Sequence, residues 1–85
     1  MTFSAWKRRI AVGTRLLCVE QTYQPKLVGE IRVVNKVQTN SIRCDPNFWT
    51  YWPKAADVTF LDDNTARWPL FTDREGIVAL RIVQD

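Results

Sequence analysis

The spacing of turn signals is what most limits how this 85-residue chain can fold. Gly13, "YQPK" with Pro25, "QTN" at 38–40, "DPN" at 45–47, Pro53, "DDNT" at 62–65 and "TDREG" at 72–76 punctuate it at intervals of roughly ten residues. Between them there is room for strands and for little else. "VGEIRVVNKVQ" alternates with period two. Ile31, Val33 and Val37 fall on one face with Asn35 between them, and Glu30, Arg32, Lys36 and Gln38 fall on the other, interrupted by Val34. This predicts a strand that buries Ile31 and Val33. "SIRC" follows as its hairpin partner, with Ile42 and Cys44 inward and Arg43 outward. "TRLLCVEQ" is apolar on both faces, as a doubly covered strand would be. "VTFL" and "ARWPLF" flank "DDNT" as a further hairpin. Pro69 marks an edge or a bulge, because proline has no N–H to give a ladder. "IVALRIV" closes the chain, with Val78, Leu80 and Ile82 on its core face. Val58 and Phe60 complete the expected core.

One short helix precedes the strands. Phe3, Trp6 and Ile10 recur at helical spacing, Ser4 is the expected N-cap and Gly13 the stop. A helix over Ser4–Ile10 is too short to stand alone and must dock through Trp6 and Ile10. A single helical turn is expected after Pro53. The expected fold is therefore mainly β: a small five- to six-stranded SH3-like barrel, or a strongly bent antiparallel sheet, with a short N-terminal helix. It forms one domain over 1–85, with a helix or arm at 1–13, three strands within 14–44, an aromatic loop at 45–57 and the C-terminal strands at 58–83.

"KLVGEIRVVNKVQTNSI", "WPKA" and "FLDDNT", taken together, resemble small uncharacterised β-barrel proteins carried on phages and other mobile elements, including environmental gene-cassette products. The resemblance spans roughly residues 14–83. It implies a fold and a genomic setting; it implies no activity and transfers no functional residue.

Composition narrows the function classes. At 46% hydrophobic and 25% charged, the chain has the balance of a globular domain. No apolar run approaches the ~18 residues that span a bilayer, and the first residues lack the pattern of a signal peptide; a cytoplasmic location is expected. There is no histidine and no closely spaced cysteine pair, so neither a metal site nor the usual general base near neutral pH is expected. Asp62-Asp63 reads as turn chemistry. Cys18 and Cys44 lie in strand-like segments and are expected to be buried free thiols. No catalytic residue, cofactor or metal is assigned, and the chain is not expected to be an enzyme.

Binding signals are stronger. Residues 1–44 carry eight basic and two acidic side chains, a net of +6, whereas residues 45–85 carry four and seven, a net of −3. "FWTYW" packs Phe48, Trp49, Tyr51 and Trp52 around Thr50. In an extended segment these rings alternate, so they cannot all enter one small core. Trp52 is expected inside, with Trp49 and Tyr51 outside. The leading expectation is a non-enzymatic interaction module that presents Phe48, Trp49, Tyr51 and Trp68 to a protein partner or to a second copy of itself. The alternative is a nucleic-acid binder using Lys7, Arg8, Arg9, Arg32, Lys36 and Arg43, with cations on phosphates and rings on bases. A small-ligand site formed as an aromatic cage is the third reading.

Overall fold

A computed structural model describes residues 1–70 and 76–83; the expected turn at 72–75 and Phe71 lie outside the described residues. The N-terminal helix α1 spans Phe3–Arg8, and seven strands follow: β1 (Arg15–Gln21), β2 (Ile31–Val37), β3 (Ser41–Asp45), β4 (Phe48–Tyr51), β5 (Thr59–Asp62), β6 (Thr65–Pro69) and β7 (Ile77–Val83). Short 3-10 turns occupy Pro25–Leu27 and Ala55–Asp57. The strands form one antiparallel sheet in the order β4-β3-β2-β1-β7-β6-β5. The fold is mainly β, as expected. There are seven strands where five or six are predicted, because the aromatic segment at 48–51 pairs with β3 as a strand instead of remaining a loop. The sheet is not closed into a barrel: β4 and β5 are its two edges.

Those edges are joined directly by the chain, and this forces the sheet to curl. Six inter-strand steps of ~4.8 Å would hold the edges of a flat sheet ~29 Å apart. Eight residue steps, from Tyr51 to Thr59, reach at most roughly 26–29 Å when fully extended, and the 3-10 turn at Ala55–Asp57 shortens that reach. The ring contacts record the curl. Trp52, just past β4, lies 6.4 Å from Trp68 of β6, near the opposite flank of the sheet.

α1 fills the concave side. Its N-cap is Thr2, whose Oγ1 accepts the Ala5 N–H at 3.1 Å, rather than Ser4. The early start lets Phe3 enter the core with Trp6 and Ile10. Phe3 meets Trp6, Trp52 and Trp68 at 5.9–6.2 Å, and Trp6 meets Trp68 edge-on at 6.0 Å. Trp6 Nε1 donates to the carbonyl of Asn64 at 2.9 Å, which pins the helix to the β5–β6 hairpin. Among the described residues Trp68 Nε1 has no hydrogen-bond partner, and Trp68 is buried among these rings. Its role is packing.

The core includes Ile42, Val78, Leu80 and Ile82 as expected, and Val58 and Phe60 pack against it partly buried. β2 departs from expectation. Ile31 and Val33 are 49% and 41% exposed, while Val34 is fully buried. Arg32 turns inward with its side chain only 14% exposed. Two facts make that orientation tolerable. The guanidinium reaches the rim, where Nη1 bonds Glu30 Oε2 at 2.8 Å and Nε donates to the Pro46 carbonyl at 2.9 Å. A bulge between Val34 and Lys36 then resets the parity, so that Lys36 still points out opposite Arg43. Nor is β1 covered on both faces: Leu16 and Cys18 are buried, but Val19 is exposed and Leu17 half-buried. Pro69 sits at the end of β6, beyond the last residue that β5 pairs, so its missing N–H breaks no ladder. No described helix is long and apolar enough to cross a membrane.

The register separates two alanine variants by chemical denaturation. Leu80→Ala is expected to cost ~2–5 kcal/mol. Ile31→Ala is expected to stay within about 1 kcal/mol, as surface changes do. The reverse ranking would contradict the inward placement of Val34.

Candidate functional site

The site begins with the tight connection from β3 to β4. Asn47 takes a positive φ of 49°, a conformation that asparagine tolerates better than most residues. It reverses the chain so that Phe48 lies opposite Cys44, Trp49 opposite Arg43, Thr50 opposite Ile42 and Tyr51 opposite Ser41. The four positions then alternate in burial. Phe48 and Thr50 are buried, and Trp49 and Tyr51 are 55% and 59% exposed. The exposed rings meet edge to face, 4.9 Å apart at 90°.

The backbone of β4 alternates too. The Trp52 N–H donates to the Asn40 carbonyl at 2.8 Å, toward β3. Two-residue alternation places the N–H groups of Thr50 and Phe48 on that same side. The N–H and C=O groups of Trp49 and Tyr51 therefore point away from β3, to the free edge. A groove of about 240 Å³ runs along this edge. Gln21, Tyr23, Gln24 and Leu70 form its far wall. Gln21 is buried, and its Oε1 accepts the Tyr23 N–H at 3.2 Å.

The expected site residues divide. Trp49 and Tyr51 lie at the groove, as anticipated. Trp52 is structural: half-buried, it packs on Phe3 and Trp68, and Lys7 Nζ lies 5.0 Å above its ring. Phe48 and Trp68 are buried and offer no ring face to a partner. Both side chains follow the inward parity of their strands.

Among the expected cations, Arg32 is turned into the core rim, Lys7 covers Trp52, and Arg9 is fastened to the β5–β6 hairpin through the Asp63 carbonyl at 3.0 Å and Asn64 Oδ1 at 2.7 Å. Arg8 is exposed on α1, apart from the sheet face. Lys36 and Arg43 remain exposed, and register places Lys36, Arg43 and Trp49 in one row across β2, β3 and β4. The far wall of the groove escaped sequence reasoning, because nothing local in "QTYQ" or in Leu70 signals that the fold sets them opposite β4.

The thiols do not belong to the groove. Cys18 and Cys44 are buried and free, and together with Arg32 they line a small, partly open pocket of about 10 Å³. Burial pushes both upward, Cys18 above its ordinary value and Cys44 to about 11, against the lowering effect of Arg32. Such thiols are inert near neutral pH. At the adjacent turn Asp62 Oδ1 accepts the Asn64 N–H at 2.8 Å, and this bond lowers the Asp62 pKa. The pair Asp62-Asp63 thus serves the turn.

No family model, curated protein or solved structure matches this chain.

The Cys44 shift predicts a specific alkaline instability. A thiol with a higher pKa in the folded chain stabilises the fold fully below the unfolded value, and loses that contribution as pH rises through the folded value. From about pH 9 to about pH 11 the wild type should lose roughly 2–3 kcal/mol that Cys44→Ala does not lose. Denaturant unfolding of both proteins across that range checks it. A stability difference that stays constant with pH would contradict the protonated thiol.

Proposed function

We propose that this protein is a non-enzymatic interaction module that captures an extended segment of a protein partner by strand addition to β4. The observation that carries the reading is the combination, at the same four residues, of a strand edge left unpaired among the described residues, two exposed aromatic rings and a groove. Backbone groups of Trp49 and Tyr51 supply the affinity common to strand addition, and the groove supplies side-chain selectivity. A residue of the added strand that points inward enters the groove between β4 and the wall formed by Tyr23, Gln24 and Leu70. One that points outward meets Trp49 or Tyr51. The absence of histidine from the chain and the raised thiols fit a module that binds without catalysis. The proposed setting is the cytoplasm of a cell that carries a mobile element, in keeping with the resemblance noted above.

A second reading rests on the row Lys36–Arg43–Trp49. Two cations beside exposed rings on a sheet face fit single-stranded nucleic acid, with the rings stacking on bases. Only two of the six expected cations lie on that face, which is why strand addition comes first. The two readings differ in salt response: phosphate contacts weaken steeply with salt, by a log–log slope of roughly −0.7 per contact for single strands. Strand addition hardly changes.

Tyr51→Pro tests the first reading. The substitution removes an outward N–H and an exposed ring, and proline is tolerated where an edge N–H faces solvent. Peptides selected from a displayed library of extended ten-residue sequences on the wild type should lose at least tenfold in affinity for Tyr51→Pro, while the fold persists by circular dichroism. Selected peptides that bind the folded variant with undiminished affinity would overturn strand addition.

A further inference from the structure

We propose that the β4 edge also pairs with the β4 edge of a second copy of the chain, antiparallel about a two-fold axis that passes at Thr50; this inference rests on the strand-addition reading. A two-fold axis at Thr50 sets Trp49 opposite Tyr51 of the second copy, and Tyr51 opposite Trp49. Both residues turn their N–H and C=O groups outward, so the pairing forms four backbone hydrogen bonds and uses every unpaired group at those two positions. Thr50 meets its own equivalent as the closely spaced, non-hydrogen-bonded pair. An axis at Trp49 would set Tyr51 opposite Asn47, which is at the turn with a positive φ, and an axis at Tyr51 would set Trp49 opposite Pro53, which has no N–H, so either shift loses part of this match.

The side chains agree with the backbone. Trp49 and Tyr51 share the outer face at 4.9 Å. Across the axis each gains the other type of ring from the second copy, giving a run of four aromatic rings of the kind that stabilises cross-strand pairs. Charge agrees as well. The strand "FWTY" carries none. The row behind Trp49 leads to Arg43, and the row behind Tyr51 leads to Ser41. The pairing therefore aligns Arg43 of one copy with Ser41 of the other and keeps the two arginines apart, although each chain is +3.

The opposite edge of the sheet is protected. β5 has a bulge between Phe60 and Asp62 and carries acidic residues at its turn, devices that discourage strand addition. β4 has no proline, charge or bulge within its pairing. Association therefore closes as a β4–β4 dimer and does not run on through β4–β5 contacts into a filament. About half of each ring is exposed, so the four rings bury roughly 400 Å². That is well under the ~1,200 Å² of a stable interface. The dimer is a weak, concentration-dependent one, which leaves the same edge open to exchange with a partner's strand.

Sedimentation equilibrium from about 10 µM to about 1 mM, a range that brackets weak association, tests it. The average mass of the wild type should rise from 9.9 kDa toward twice that value, and added salt should not reverse the rise. Tyr51→Pro should remain at the monomer mass throughout. A Thr50→Cys variant under mild oxidation should give a covalent dimer joined 50-to-50, located by peptide mapping. A wild type that stays monomeric to the top of the range overturns the self-pairing. Strand addition itself then stands or falls separately on peptide binding to Tyr51→Pro. A mass increase shared by the wild type and Tyr51→Pro, or a dimer with no 50-to-50 link, overturns the two-fold pairing at β4.

Discussion

The connection from Trp52 to Val58 is short, and the rest of the molecule follows from that shortness. It ties the first edge of a seven-stranded sheet to the last, and a flat sheet would put those edges out of its reach. The sheet must therefore curl, and its concave face must be filled. α1 fills it with Phe3, Trp6 and Ile10, and Trp52 and Trp68 arrive from opposite flanks to close over them. A chain of this size has little stability to spare. It concentrates its largest side chains where α1, Trp52 and Trp68 meet.

The same curl leaves β4 exposed at one edge. The edges approach but do not pair, so among the described residues no strand pairs with the outward N–H and C=O groups of Trp49 and Tyr51. The loop after β1 and the end of β6 come near enough to wall a groove beside them. Structural and binding roles are thereby divided among adjacent residues by parity alone. Phe48 and Thr50 face the core, Trp49 and Tyr51 face outward, and Trp52, past the strand, joins the aromatic seam.

Much of this was legible in the sequence. "DDNT" and "QTN" lie at the turns of hairpins, "IVALRIV" buries Val78, Leu80 and Ile82, and alternation divides Trp49 from Trp52. Where local pattern misleads, a long-range contact decides. β2 alternates convincingly in the wrong phase. Its true phase depends on the Pro46 carbonyl and Glu30 meeting Arg32, and on a bulge at Asn35, neither of which leaves a mark in the local pattern. The strand character of "FWTY" is hidden by the Asp45-Pro46-Asn47 breaker before it, and only pairing with β3 reveals it. Trp68 is expected among the presented rings; its contacts with Phe3 and Trp6 of α1 bury it. The groove depends on Tyr23 and Leu70 meeting β4 across the fold, a property of topology that no short window contains.

Amide hydrogen exchange of the dilute, monomeric protein, read residue by residue along β4, tests the central claim most directly. Outward-facing groups exchange from the native state, and groups bonded to β3 exchange only on opening. The account predicts alternation: fast exchange at Trp49 and Tyr51, protection at Thr50 and Trp52. Equal protection at all four amides would mean that the β4 edge is already covered within one chain, and the site described here would not exist.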